Sequence, residues 1–259
     1  MTAELYAEDE SRPSLAFLIV DAIAFWIRNP LLFWVVTLPI AGLAALVTYA
    51  LDTNHSLVAL RNHWGWDFLF ALIYALFLDR WIKASLLDGA SPCDEVDNLR
   101  RSIVSPRFLG LTTALFLLAL VMAELAYVEV NIVIWSAVAA LGALYLPSLS
   151  AAEPLSLRQA FASGRPVQAH FFLLIAGSLA ISLLAGVGLE RAADELPYKA
   201  WAPAAVAAAQ RVVDCLLLAV IGNALASAFC DRTGWQQPEP DDHPYRNMGL
   251  ARRKKPGGV

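Results

Sequence analysis

Four ionisable residues lie inside long apolar runs of this sequence, where charged side chains are unusual. Arg211 and Asp214 lie three positions apart in the last run, so a helix would place both on one face. Asp67 and Glu124 lie in two earlier runs. Charges are costly inside a membrane and commonly mark function there. An arginine balanced by several carboxylates could bind the head group of a solute or relay protons. The alternative is that Arg211 only pairs with Asp214, while the other two reach the membrane boundary.

These charges are not accompanied by a pattern typical of enzymes. The sequence contains no GxSxG or HExxH motif and no glycine loop of the kind that holds phosphate. His55 and His63 lie near Asp52 and Asp67, but this spacing matches no established metal motif. We therefore expect no metal, no cofactor and no enzymatic activity. An intramembrane enzyme remains a third possibility, since side chains far apart in sequence can meet.

Composition indicates the class of protein that carries these residues. Apolar residues make up 58% of the 259 residues and charged residues only 16%, against about 25% charged in ordinary globular domains. Several apolar runs have the length of about 20 residues that crosses the hydrocarbon of a bilayer. The net charge of −4 is mild, and we expect no nucleic-acid partner. The sequence therefore predicts an all-α fold, a polytopic membrane helical bundle.

The apolar runs divide the chain into one membrane domain with two tails. We predict a membrane domain over residues 14–232, with disordered tails at 1–13 and 233–259. The second tail is rich in proline, glycine and charge. The six predicted transmembrane spans cover residues 31–51, 64–81, 108–127, 132–146, 170–189 and 203–230.

Residues 14–28 precede the first span and have a pattern of their own. Ser14, Asp21 and Arg28 recur every seven residues, so a helix would align them in one narrow polar stripe. The remaining residues are mostly apolar, which predicts a helix lying in the cytoplasmic interface. A short additional span is the alternative, although this segment is short for one and has Asp21 at its centre.

Basic residues give the predicted orientation. With the N-terminus inside, fifteen of the 19 lysines and arginines lie in inner segments and three lie in outer loops. Both termini are then cytoplasmic, and the candidate polar pocket of Asp67, Glu124, Arg211 and Asp214 lies in the outer half of the membrane. Other residues are then predicted to anchor the inner boundary: Trp26, Asp79, Arg80, Trp81 and Trp235.

The segment between the fourth and fifth spans predicts a surface helix. Ser156 can cap its start, and Gln159 three residues later can complete a capping box. Gly164 is a plausible C-cap. A solvated loop is the alternative interpretation, but the capping signals favour a helix.

Two groups of basic residues are predicted to contact lipid. Arg158 and Arg165 lie on or beside the surface helix, where they can meet lipid phosphates. Arg252, Arg253, Lys254 and Lys255 can attract anionic lipid from the C-terminal tail, or can serve only to set the topology.

Small residues recur every four positions in the fifth span, at Ser178, Ser182 and Gly186. Such a stripe allows helices to approach closely in lipid. It could join helices within one chain or between two chains, and we expect contacts within one chain.

Three short stretches resemble a known group of proteins. A span that ends in YLPSLSAAEP is followed by LSLRQAFASGRP, and the first span begins with IRNPLLFWV. This pattern resembles a group of poorly characterised bacterial six-span membrane proteins. It is also similar to the membrane domain attached to some glycerophosphodiester phosphodiesterases. The likeness covers residues 14–232. We find no soluble phosphodiesterase portion, so we do not expect that activity. The resemblance implies an all-helical, multi-pass protein of the bacterial inner membrane.

Two classes of function follow from these observations. We expect a non-catalytic accessory, assembly or membrane-organising protein that acts through protein or lipid contacts. The alternative is a transporter or binder of a small or lipid-like solute that uses the charged pocket in the outer half. The expected partners are membrane lipids, together with another membrane protein or a second copy of this chain.

Overall fold

Helices form the whole regular structure of the part of the chain that is described in this computed structural model. The structure describes residues 14–53, 64–87, 105–125, 127–151, 154–195 and 201–235, and no strand occurs among them. The helices are α1 (Leu15–Arg28), α2 (Pro30–Thr53), α3 (Trp64–Leu86), α4 (Pro106–Leu125), α5 (Val128–Leu141), α6 (Tyr145–Ser150), α7 (Leu157–Gly164), α8 (Gln168–Asp194) and α9 (Ala202–Thr233).

Three of these helices are long and apolar enough to cross a membrane. They are α2, α8 and α9, with 24, 27 and 32 residues. Even the shortest of them is about 36 Å long at 1.5 Å per residue, against about 30 Å of hydrocarbon in a bilayer. The prediction of a helical membrane protein is confirmed to this extent. The six spans and the position of the termini stay predictions.

The outer surface of the bundle is apolar, as lipid contact requires. A soluble protein rarely exposes a large contiguous apolar surface. Here large apolar side chains are exposed along α1, α2 and α8, at Phe17, Val20, Ile27, Leu31, Leu38, Leu46, Leu173, Ile181 and Leu184. This surface would be unfavourable in water and is favourable in hydrocarbon.

Helix α9 lies at the centre of the bundle. It packs against α1, α2, α3 and α8, while α4 packs mainly on α3 and α5 mainly on α8. Tyr74 of α3 contacts Asp214, and a Cβ on Gly222 would lie 3.2 Å from Trp81. The earlier residue of α3 contacts the earlier residue of α9, and the later residue contacts the later one. Helices α3 and α9 therefore run in the same direction.

The helix predicted over residues 14–28 forms, and the central residue of its polar stripe faces the bundle. Asp21 points into the bundle, where its Oδ2 accepts hydrogen bonds from Asn223 (3.0 Å) and Ser227 (2.8 Å) of α9. Ser14 is the N-cap of α1 and accepts a hydrogen bond from the backbone N–H of Phe17. The outward face of α1 is apolar. The donors on α9 explain the difference, since they stabilise a carboxylate that would otherwise face lipid or interface.

The fourth predicted span, 132–146, does not form one continuous helix. Helix α5 begins at Val128 and ends at Leu141, and a turn over residues 142–144 leads into α6. Gly142 is the C-cap of α5. Pro147 lies in the first turn of α6, where its missing N–H would have no partner within the helix. Leu144 lies in the hydrophobic core, and Leu146 packs against it.

The surface helix between α6 and α8 forms as predicted, with a different C-terminus. Ser156 Oγ accepts from the backbone N–H of Gln159 (3.2 Å), and Gln159 Oε1 accepts from the backbone N–H of Ser156 (3.0 Å), so the capping box is confirmed. Gly164 is the last helical residue rather than the C-cap, which is Arg165 in a right-handed conformation. The chain turns directly into α8, so no left-handed residue is needed. Arg158 and Arg165 are exposed.

Two tryptophans predicted to anchor the membrane boundary lie in the interior instead. Trp81 is 2% exposed, with its ring centroid 5.4 Å from Phe25, 6.0 Å from Phe33 and 5.9 Å from Phe77. Trp235 is buried beside Phe229. Helices α1, α2 and α3 meet around Trp81, so burial of this large ring stabilises their junction more than exposure at an interface would.

Candidate functional site

A polar cluster surrounds the carboxylate of Asp214 on α9. Tyr74 Oη donates to Oδ2 at 2.7 Å. Ser182 Oγ donates to Oδ1 at 2.6 Å, and Gln210 Nε2 donates to the same oxygen at 3.0 Å. Three helices, α3, α8 and α9, therefore supply hydrogen bonds to one carboxylate. Together these donors satisfy the hydrogen-bonding capacity of a partly buried carboxylate.

Arg211 completes this cluster as the counter-charge. Its Nη1 donates to Tyr74 Oη at 2.8 Å and lies 3.4 Å from Asp214 Oδ2. Its guanidinium also lies 4.4 Å from the ring centroid of Phe70, a cation–π geometry. The Arg211 side chain is 31% exposed and that of Asp214 is 16% exposed. The Tyr74 hydroxyl thus bridges the two charges, accepting from one and donating to the other.

The stripe of small residues brings α8 close to this cluster. Gln210 Nε2 also donates to the backbone carbonyl of Ser182 at 3.1 Å. A Cβ on Gly186 would lie 3.4 Å from Gln210 Oε1. Ser178 is buried. The stripe therefore faces α9 of the same chain, and its small side chains let polar groups of the two helices reach each other.

The predicted pocket is described only in part. The structure brings Arg211 and Asp214 together, but the side chains of Asp67 and Glu124 lie outside the part of the chain whose side chains are described. The basic residues of the tail lie outside it as well, namely Arg252, Arg253, Lys254 and Lys255. His55 and His63 also lie outside it. Among the described residues, no group of three histidine, cysteine, aspartate or glutamate side chains could hold a metal ion.

Sequence reasoning missed Tyr74, Ser182 and Gln210 as members of this site. Neutral polar residues are common in membrane helices and carry no charge that marks them. A signal was present for Gln210, which lies four residues before Asp214 and so shares its helix face. A weaker signal was present for Ser182, which belongs to the small-residue stripe.

An apolar cavity of about 230 Å³ lies beside the cluster. Tyr74, Ser182 and Asp214 form part of its wall. Most of the remaining wall is apolar and comes from α3, α4, α5, α6, α8 and α9. Thr112 of α4 also lines it; this residue is 2% exposed, and its hydroxyl has no hydrogen-bond partner among the described residues. The cavity therefore combines an apolar body with a small set of polar groups.

A second, more open cavity of about 720 Å³ lies between α8 and α9. Its wall includes Gln210 and Arg211 from the polar cluster, together with Glu190 and Asp194. Residues of the cluster thus contribute to the walls of two separate cavities, and Arg211 faces the more open one.

A separate polar contact joins α3 to α6. Asp79 Oδ2 lies 2.7 Å from Lys83 Nζ, and Asp79 Oδ1 accepts from Ser150 Oγ at 2.8 Å. The side chains of Asp79 and Lys83 are 0% and 1% exposed. The prediction that Asp79 anchors the membrane boundary is therefore wrong, because α6 folds over it and supplies Ser150. Arg80 is partly buried.

No protein-family model, curated protein or solved structure matches this chain. The resemblance to the membrane domain of some phosphodiesterases stays a prediction.

Proposed function

We propose that this protein is a non-catalytic membrane protein that binds a lipid-like solute inside its helical bundle. The observation that carries the proposal is that Tyr74, Ser182 and Asp214 belong both to the polar cluster and to the wall of the apolar cavity. A molecule with a polar head and an apolar chain matches such a wall. This proposal corresponds to the second of the two expected classes, a transporter or binder of a small or lipid-like solute.

The composition of the cavity supports this proposal. Ligand sites in proteins are mostly apolar, with a few placed polar groups that set the orientation of the ligand. The volume of about 230 Å³ is below the range of about 300–1,000 Å³ typical of sites for drug-sized molecules. One short chain, or one end of a longer chain, is therefore the expected occupant.

The proposal includes a location in the bacterial inner membrane, with six spans and both termini cytoplasmic. The common direction of α3 and α9 supports it, because two spans that run in the same direction have an odd number of spans between them, and the six-span topology has three between these two. The excess of basic residues in the predicted inner segments also supports it. In a cysteine-free background, Arg158→Cys should react with an impermeant maleimide only after the cytoplasmic face is opened. Labelling of intact spheroplasts would overturn this orientation.

An accessory or assembly role is the second candidate, and one observation favours it. Helix α7 exposes Leu157 and Phe161 beside the basic side chain of Arg158. Such a helix can lie on anionic lipid, or against another membrane protein or a second copy of this chain.

Purification in a mild detergent, followed by mass spectrometry of lipids and proteins, separates the two candidates. Ala139→Phe would fill the cavity, since Ala139 lines it, whereas Val138→Phe on the exposed face of the same helix is the matched control. We expect one amphiphile to be enriched with the wild type and Val138→Phe and to be lost with Ala139→Phe. A stoichiometric protein partner without an enriched amphiphile would support the accessory role instead.

A further inference from the structure

The open cavity of about 720 Å³ between α8 and α9 has a wall of its own, which shares no described residue with the wall of the apolar cavity. Its charged residues are Glu190 and Asp194 of α8 and Arg211 of α9. We infer that this cavity is a second binding site, which takes a zwitterion with a phosphate or carboxylate group at Arg211 and an ammonium group at Glu190. The head group of a phospholipid and a free solute share this chemistry.

Two contacts fix how α8 and α9 face each other along this cavity. Ser182 Oγ lies 2.6 Å from Asp214 Oδ1. A Cβ on Gly186 would lie 3.4 Å from Gln210 Oε1. The later residue of α8 thus contacts the earlier residue of α9, so the two helices are antiparallel. Residues of α8 beyond Gly186 therefore lie opposite residues of α9 before Gln210.

This arrangement orders the charges along the cavity. Arg211 lies next to Gln210, at the end of the cavity that adjoins the polar cluster. Glu190 follows Gly186 by one turn of α8, about 6 Å along the helix axis. Asp194 is one turn further and is the last residue of α8. The positive charge is therefore at one end, and the two carboxylates follow towards the other end.

Arg211 has hydrogen-bond donors to offer at its end. Its Nη1 donates to Tyr74 and lies 3.4 Å from Asp214 Oδ2. Its Nε and Nη2 make no hydrogen bond within the described part of the chain, and the side chain is 31% exposed. These two nitrogens form the edge of a guanidinium that binds a carboxylate or phosphate through two parallel hydrogen bonds. An anionic oxygen group is the ligand that this edge fits.

The carboxylates of the wall favour a ligand that also carries a positive charge. Glu190 and Asp194 are exposed, and neither has an ion-pair partner among the residues that the structure describes. A simple anion at Arg211 would add negative charge to this wall. A simple cation at Glu190 would leave the donors of Arg211 without an acceptor. A zwitterion supplies both partners and leaves the net charge of the site unchanged.

Two matched sets of probes test the inference on the wild-type protein in dodecyl maltoside, an uncharged detergent. The free solutes are radiolabelled γ-aminobutyrate, butyrate and butylamine, which have the same number of carbons and differ in their charged groups. The lipids are dihexanoyl phosphatidylethanolamine and dihexanoyl phosphatidylglycerol, of which only the first has an ammonium group. Equilibrium dialysis against empty micelles measures saturable binding. We expect a zwitterion to bind at least about tenfold more tightly than its singly charged analogues, the value of one charged hydrogen bond.

The two sets also distinguish the sources of the zwitterion. A preference for the zwitterion among the lipids alone assigns the site to a phospholipid head group. The same preference among the free solutes assigns it to a solute. If no zwitterion binds more tightly than its singly charged analogues in either set, the inference is wrong.

Two glutamates provide matched variants. Glu190→Gln removes the counter-charge of the ammonium group and should weaken binding of the zwitterion about tenfold, whereas binding of the singly charged anion should not weaken. Glu195→Gln is the control, because Glu195 is also exposed but does not line the cavity. It should leave binding unchanged. Equal losses in the two variants would assign the effect to the overall charge of the protein and overturn the inference.

Ala139→Phe separates this site from that of the proposed function, since Ala139 lines the apolar cavity only. Binding of the zwitterion should be unchanged in this variant, even though the amphiphile of the apolar cavity is lost. If the folded, monodisperse variant no longer binds the zwitterion, the open cavity is not its site and the inference is wrong. A zwitterion that binds to the wild type while no amphiphile is enriched would contradict the proposed function alone.

Discussion

Tyr74 and Asp214 lie 140 positions apart in the sequence, and their side chains meet in a hydrogen bond of 2.7 Å. The bond joins α3 to α9. The same carboxylate accepts from Ser182 of α8, so one aspartate connects three helices. Hydrogen bonds between membrane helices are individually modest, at about 0.6 kcal/mol on average. Because Asp214 accepts several hydrogen bonds, their stabilising contributions add up at one point of the bundle.

Tyr74→Phe is expected to destabilise the fold modestly. The substitution removes the donor to Asp214 and the acceptor of Arg211, while the ring contact with Phe116 at 5.8 Å can remain. We expect a loss of about 1–2 kcal/mol, in the upper range for hydrogen bonds between membrane helices. Unfolding in micelles with an increasing fraction of sodium dodecyl sulfate measures it.

Tyr49→Phe is the control for this prediction, since the side chain of Tyr49 is exposed on α2. Its unfolding curve should coincide with that of the wild type. Equal stability of Tyr74→Phe and the wild type would show that the phenol bridge contributes nothing to the fold.

Arg211→Leu is expected to change which head group the cavity prefers. Asp214 keeps its donors from Tyr74, Ser182 and Gln210, so the protein should still fold. The carboxylate loses its counter-charge, however, and a cationic head can replace it. Binding of decylamine, a cationic amphiphile, in the apolar cavity should therefore rise at least about tenfold relative to decanol, its neutral analogue, because the Asp214 carboxylate without its counter-charge favours a cationic head group.

Arg191→Leu serves as the control, because Arg191 is exposed near the C-terminal end of α8 and does not line either cavity. It should leave the selectivity unchanged. An equal gain of decylamine binding in both variants would show that the overall charge of the protein sets the preference for decylamine over decanol, rather than the pair of Arg211 and Asp214.

Gly222→Ala is expected to destabilise the contact between α3 and α9. Its new Cβ would lie 3.1 Å from Leu78 Cδ1 and 3.2 Å from Trp81 Cδ1, which forces these side chains to shift. We expect a cost of about 1–3 kcal/mol from overpacking. Gly177→Ala is the control, since nothing lies within 4 Å of its Cβ position. The melting temperature measured in detergent should fall for Gly222→Ala only. A melting temperature of Gly222→Ala at or above the wild-type value would contradict the close packing.

Asp79→Asn is expected to be the most damaging of these substitutions. It removes the carboxylate that lies 2.7 Å from Lys83 Nζ, in a place where both side chains are almost fully buried. Breaking a buried ion pair by neutralising one partner costs about 3–5 kcal/mol. Fluorescence-detected size-exclusion chromatography should show little folded protein.

The double variant Asp79→Leu with Lys83→Met tests the cause of that loss. Apolar replacement of a whole buried pair is often tolerated, so folded protein should reappear. Asp194→Asn changes an exposed carboxylate and should accumulate normally. A double variant that accumulates no better than Asp79→Asn would place the defect in Ser150 and α6 rather than in the unbalanced charge.

The sequence was sufficient to place most helices and one charge pair. Apolar runs locate α2, α3, α4, α8 and α9, because the length needed to cross a bilayer is a strong constraint. The capping box of α7 and the proximity of Arg211 to Asp214 depend on residues three positions apart, so local spacing predicts them.

Contacts between distant parts of the chain could not be predicted in this way. The sequence predicts a boundary position for Asp79, but α6 covers this residue and supplies Ser150. The spacing of Asp21 predicts its place in a polar stripe but not its hydrogen bonds with Asn223 and Ser227. In each case at least one partner is a neutral polar residue far away in sequence, and such residues carry no periodic signal of their own.

The position of Asp21 has a consequence for the order in which the protein is assembled. Its described partners, Asn223 and Ser227, lie 202 and 206 positions later in the chain. A ribosome therefore releases α1 long before α9 exists, and during that interval the carboxylate must remain hydrated at the membrane surface. Only when the last helix has been inserted can Asp21 form these hydrogen bonds, so the contact between the two ends of the bundle is among the last to form.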